Sequence, residues 1–337
     1  MASVRTNRQA WMDVLRCFAI FLVVVDHATD HINSHAVHDI VGLTTLNDAV
    51  GPFRMATLMF LSGMLLPRSL AKPATEFALG KLGRIGWPYV LWSFILLFLL
   101  AATSSISGNT SVDAGTFLQV FYAPPTYLWY LAYLLIFYFV VLVLRRAPVV
   151  RSLLIPIALI ASQLLVATPQ WQRMLFLFAF FLLGDLLSRH RAVMDRSLTA
   201  TPIVVVAAAL ALATAGAAGA GVLVRYQAVW AIGVIAGIIV LIRVAQSIQE
   251  SAVGAWMGRY GRDSIIFYVT HWVSLLVTYH VLVRSGIRTE WLLLPPLLLA
   301  AFGTGFISVW AQRWRVPRYL FALPLGATST RRTPANV

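Results

Sequence analysis

Trp11-Met12-Asp13-Val14-Leu15-Arg16-Cys17-Phe18-Ala19-Ile20-Phe21-Leu22-Val23-Val24-Val25-Asp26-His27-Ala28 is an apolar run broken by only three charged residues. As an α-helix it is about 27 Å long, close to the ~30 Å hydrocarbon thickness of a bilayer. Nine more runs of similar length follow, at approximately 53–71, 86–104, 127–145, 149–167, 171–188, 201–221, 226–246, 264–283 and 291–311. Of the 337 residues, 60% are hydrophobic and 11% charged, against roughly 45–50% and about 25% in soluble domains. That balance excludes a soluble enzyme and predicts an all-α, polytopic integral membrane protein with about ten transmembrane helices. The single cysteine, Cys17, excludes an intramolecular disulfide and a multi-thiolate metal site.

The net charge of +14 has two possible sources, a nucleic-acid footprint or a topology signal. With the N-terminus inside, ten spans leave Arg54, Arg173, Arg225, Arg284 and Arg288 outside and the other 21 of the 26 basic residues inside. Such a bias follows the positive-inside rule, so both termini are expected to be cytoplasmic and no nucleic-acid partner is expected. Residues 1–10 read as a cytoplasmic N-terminal segment and 11–311 as the membrane domain. Residues 312–337 read as a basic, disordered cytoplasmic tail. The first run ends in Val25-Asp26-His27 without a small-residue cleavage pattern, so it reads as a retained helix and not a signal peptide.

Ionisable groups inside spans are costly and mark candidate sites. Arg16 and His27, eleven residues apart, fall on nearly one helical face about 16 Å apart along the axis. Asp13 and Asp30 extend that stripe. One reading gives a single elongated ligand a cation at one end and an imidazole at the other. The competing reading has Arg16 snorkelling to the interface and His27 closing the outer end. Asp30, one turn beyond His27, has the position of a residue that orients the ring. His27, His31 and His35 would align three imidazoles at a spacing compatible with a transition metal, but such a run is also an ordinary solvated face, and no metal is expected. Ser264, Tyr268 and His271 share a face of the ninth run. Lys81 and Arg84, three apart, have the chemistry to bind phosphate or to be ordinary inner-side charge. Gly233 and Gly237 suit close helix packing, and Pro295-Pro296 is expected to kink or delay the tenth helix.

Asp13-Val14-Leu15-Arg16 followed by Ala19-Ile20, Val23-Val24-Val25 and His27 resembles the opening of the acyltransferase 3 family, whose first helix carries an Arg-x10-His motif. Phe60-Leu61-Ser62-Gly63-Met64, Leu128-Trp129-Tyr130-Leu131, Phe181-Leu182-Leu183-Gly184 and Ser264-x3-Tyr268-x2-His271 are similar to further motifs of the family, in order, over roughly residues 10–275. The departure is Lys81-x2-Arg84, where many members have two arginines; lysine keeps the charge but lacks the bidentate fork.

The resemblance implies an acyl-CoA-dependent O-acyltransferase in a cell membrane, most simply a bacterial plasma membrane. It would move acetyl, succinyl or a similar group from cytosolic acyl-CoA to a hydroxyl of a sugar, glycolipid, cell-envelope polymer or natural product. On that reading His27 is the general base and Asp30 its orienter. Arg16, Lys81 and Arg84 hold the CoA phosphates, and Ser264, Tyr268 and His271 line the acceptor path, with acyl-CoA, the acceptor and membrane lipids as the partners. The alternative from another class is a transporter or flippase for a lipid-linked sugar or acyl donor, since intramembrane His and Arg also suit a permeation path.

Overall fold

The computed structural model describes residues 10–34, 40–107, 113–190, 200–223 and 225–325, and contains no strand among them. In chain order the helices are α1 (Ala10–Asn33), α2 (Val41–Met64), α3 (Leu66–Leu70), α4 (Ala74–Lys81), α5 (Trp87–Ser107), α6 (Ala114–Gln119), α7 (Trp129–Val143) and α8 (Pro148–Leu164). They continue with α9 (Pro169–Arg189), α10 (Thr201–Gly219), α11 (Ala231–Ile248), α12 (Ala252–Gly261), α13 (Ser264–Arg284), α14 (Glu290–Ala311) and the short α15 (Arg315–Arg318). All ten apolar runs are therefore helical. Among the described residues, eight helices are long and apolar enough to cross a membrane, and the chain is an all-α polytopic membrane protein.

The two remaining runs fall outside that set for different reasons. Helix α8 is apolar but has only 17 residues. Helix α1 has 24 residues but carries Asp13, Arg16, Asp26 and Asp30. Its neighbours solve the problem those charges pose: α2, α11, α12, α13 and α14 all pack against α1, so its polar groups meet protein instead of hydrocarbon.

The chain divides into two compact units, residues 1–67 with 146–311 and residues 68–145 with 312–337. In the first, α1 is central, and α2 packs against α9 and α10 as well. The α2–α9 crossing is closed by two glycines. A Cβ on Gly63 would lie 1.8 Å from the carbonyl oxygen of Phe181, and one on Gly184 would lie 2.1 Å from that of Phe60. Two motifs far apart in sequence, Phe60–Met64 and Phe181–Gly184, are thus the two faces of one backbone-to-backbone contact. Gly233 sits against the Thr214 side chain and Gly237 against the Phe53 ring, the close packing their spacing suggests. Pro295 and Pro296 lie in the second turn of α14, which begins before them at Glu290, so they do not delay the helix.

In the second unit, a π-helical turn, Leu82–Gly86, joins α4 to α5. The chain after α14 returns to this turn. Leu323 donates its backbone N–H to the Gly83 carbonyl at 2.9 Å, and the Trp87 and Trp92 indoles donate to the carbonyls of Tyr319 and Leu320. Residues 312–325 therefore carry specific contacts that their polar, basic composition concealed. Residues 1–9 and 326–337 lie outside the described residues.

Candidate active site

The α1–α13 contact holds the most concentrated polar chemistry of the first unit. His27, partly exposed, stacks on fully buried His271, with ring centroids 5.3 Å apart and planes 21° from parallel. Trp272 presents its edge to His27 at 4.9 Å, and Tyr268 lies 5.8 Å from His271. His271 Nδ1 is 3.1 Å from the Phe267 carbonyl. A carbonyl oxygen only accepts, so Nδ1 carries the proton. Ser264 begins α13, seven residues and about 10 Å along the axis from His271.

On the other side of His27 are carboxylates. Single ligand atoms of Asp26, His27 and Asp30 lie within 4.8 Å of one another. Asp30 is exposed, and Asp26 is mostly buried in an ion pair with Arg54 at 2.7 Å. Arg54, itself 4% exposed, also donates to the Leu22 carbonyl at 3.3 Å. A cation added to this trio would meet the guanidinium already bound to Asp26, which opposes it by like charge. His31, a member of the suggested imidazole row, is buried with its ring edge-on to Tyr279 at 4.8 Å and Trp272 at 6.0 Å. His35, the third member of that row, lies outside the described residues.

The other end of the stripe is equally tied down. Arg16 reaches the Leu61 carbonyl of α2 at 3.4 Å and Asp13 at 3.7 Å, with its side chain 14% exposed. It is turned into the helix packing and does not snorkel. Leu61 lies one residue before Ser62-Gly63, so the guanidinium meets α2 next to its crossing with α9.

Lys81 and Arg84 belong to the second unit, and their surroundings differ. The Lys81 ammonium sits over the Tyr138 ring, 3.5 Å from its centroid, and 5.5 Å from that of Phe77. Arg84 is exposed. An α-helical i, i+3 spacing would align the two cations. The two cations are three residues apart across a π turn, Leu82–Gly86, bonded i to i+5, so the α-helical i, i+3 register does not apply between them.

Arg54 is the residue that sequence reasoning missed. The charge distribution reads it only as one of five outer basic residues; a charge beginning an otherwise apolar run, opposite an Asp in the preceding helix, is the signal that marks it. A second buried charge group was also missed. Asp185, with no exposed surface, lies 3.5 Å from Arg151 and 3.2 Å from Arg189, which also donates to Ser152. Partners on α8 and α9 reveal it only once these helices pair.

Against known families, residues 9–312 match the model of an acyltransferase domain. No curated protein and no solved structure matches the chain.

Proposed function

The chain belongs to the acyltransferase 3 family, and from that premise we propose that it transfers an acyl group from cytosolic acyl-CoA to a hydroxyl of a sugar, glycolipid, cell-envelope polymer or natural product. The membrane would be a bacterial plasma membrane. What carries this reading is the environment of His27: a partly exposed imidazole on the central helix, stacked on His271 and close to two carboxylates. His27 takes the proton of the acceptor hydroxyl as its oxygen attacks the thioester carbonyl. The new C–O bond forms, the C–S bond breaks, and the imidazolium returns its proton to the departing CoA sulfur. The exposed Asp30 carboxylate beside the ring favours the transient imidazolium, while Arg54, already paired with Asp26, opposes it.

Arg16 is the donor-binding cation of the first unit. Its place about three turns along α1 matches the length of an extended thiol-bearing arm, so that phosphates at one end leave the thioester near His27. In the second unit Arg84 offers an exposed guanidinium to phosphate oxygens. Tyr268 and Ser264 extend the His271 face along which the acceptor would lie.

The test is acyl-CoA turnover by the purified full-length protein in detergent, read as free thiol release with a panel of hydroxyl acceptors. Acceptor-dependent release that His27→Ala abolishes, with unchanged folding, supports the reading. Release unaffected by that substitution, or no release with any donor or acceptor, rejects it. Arg16→Ala should chiefly raise the KM for acyl-CoA.

A further inference from the structure

The segment that follows α14 is built for a surface that is apolar and anionic at once. From Gln312 to Val337 the sequence has no Asp or Glu, while Arg313, Arg315 and Arg318 fall within six residues. Arg315 and Arg318 are exposed, and between and beside them stand Trp314, Val316, Tyr319 and Leu320, exposed by 51%, 79%, 47% and 41%. Exposed Trp, Tyr and aliphatic side chains alternating with arginine are the composition of a membrane–water interface, where rings and alkyl groups sink to headgroup level and guanidinium groups meet phosphate. The segment starts directly after Ala311, the last residue of an apolar helix long enough to span.

The opposite side of the same segment is docked. Trp87 Nε1 donates to Tyr319 O at 2.6 Å, Trp92 Nε1 to Leu320 O at 3.0 Å, and Leu323 N to Gly83 O at 2.9 Å. Phe321 is buried and stacks on Trp92 with centroids 5.8 Å apart. Gly83 is required for this seat, because a Cβ there would lie 2.2 Å from Leu323 O. Gly83 is inside the π turn that carries Arg84. One strap thus has an outward face of arginines and aromatics and an inward face gripping that turn.

We propose that residues 313–325 form an interfacial strap that binds anionic phospholipid headgroups through Arg315 and Arg318 and thereby holds the π turn bearing Arg84. The bilayer is the occupant because the exposed apolar side chains need a hydrocarbon boundary, which a soluble phosphate does not supply. The proposal goes beyond acyl transfer and does not depend on it.

The experiment titrates phosphatidylglycerol or phosphatidylcholine into the detergent-solubilised full-length protein, with bound lipid read by native mass spectrometry and backbone exchange by deuterium uptake. The protein should retain phosphatidylglycerol preferentially, and the lipid should slow exchange over residues 83–92. Each arginine at an anionic surface is worth about fivefold in affinity, so R315Q/R318Q should bind phosphatidylglycerol about 25-fold more weakly. Both side chains are exposed, so the variant folds. Equal retention of the two lipids, unchanged phosphatidylglycerol binding in the double variant, displacement by inorganic phosphate, or exchange over 83–92 indifferent to lipid would each overturn the proposal. None of these readouts uses turnover, so acyl transfer can fail while the strap stands, and the reverse.

Discussion

The imidazoles of His27 and His271 lie face to face, 5.3 Å between centroids, although 244 residues separate them in the chain. The two rings differ in exposure. His271 is fully buried and donates Nδ1–H to the Phe267 carbonyl of its own helix; His27 is partly exposed, and in the proposed reaction it is the general base and His271 the surface beneath it. Loss of a general base costs about 10²–10⁴-fold in rate, and His27→Ala should show a fall of that order in kcat. His271→Phe keeps a flat ring beneath His27 and should retain most of the turnover, whereas His271→Ala should not. Equal loss in both His271 variants would show that His271 contributes its nitrogens and not its surface.

Arg54 and Asp26 make a mostly buried pair beside His27. Removing one member of such a pair leaves the other charge without compensation and costs about 3–5 kcal/mol. Arg54→Ala should therefore lower the thermal unfolding midpoint in detergent far more than the paired change Arg54→Met with Asp26→Leu, which removes both charges. If the single and the double variant unfold together, the pair carries no coupling.

The helices were legible because they depend on local periodicity, apolar runs of membrane length. Partners across helices were not. A charge at the start of the second run marks Arg54 as a candidate partner without fixing that it meets Asp26, and nothing near His27 points to His271, because these contacts arise from which helices surround α1. Between Lys81 and Arg84 the helix has a π turn that no composition signal marks, so a spacing argument built on α-helical geometry does not carry across it. The segment from Gln312 to Leu325 reads as a polar tail because its docking uses backbone carbonyls and one backbone N–H, groups every residue has.

The Gly63 and Gly184 contacts predict a sharp positional effect. Gly63→Ala or Gly184→Ala places a methyl group 1.8–2.1 Å from a backbone oxygen of the facing helix, so α2 and α9 must separate. Folded yield and the unfolding midpoint should both fall. Gly303→Ala, which meets nothing within 4 Å, should be neutral or slightly stabilising. Equal tolerance at the three positions would mean that the α2–α9 crossing is looser than described.

Asp113 gives a pH prediction at the surface. Its carboxylate accepts from the Thr116 hydroxyl at 2.7 Å and from the Thr116 N–H at 2.8 Å, capping α6, and these bonds hold its pKa below the ordinary carboxylate value. A group with a depressed folded pKa contributes its stability above the unfolded value, about 3.9, and loses it as pH falls through the folded one. Protection of the Thr116 amide from exchange should hold at neutral pH and decline only below about pH 4. Asp113→Ala should remove that dependence, and a wild-type decline near neutral pH would contradict the assignment.

Lys81 and Arg84 should part company under mutation. The Lys81 ammonium is held over the Tyr138 ring at 3.5 Å, a cation–π contact worth about 0.5–2 kcal/mol according to its exposure. Lys81→Met should therefore act on stability, slightly lowering the unfolding midpoint while leaving the KM for acyl-CoA within about twofold, since a contact of this size that stays with the protein need not touch the donor. Arg84 is exposed and has the planar fork that suits phosphate oxygens. Arg84→Met should leave stability alone and raise the KM for acyl-CoA, and the rise should shrink with a donor fragment that lacks the nucleotide phosphates. A KM that moves with Lys81 and not with Arg84 would place the phosphate-binding charge over the Tyr138 ring instead.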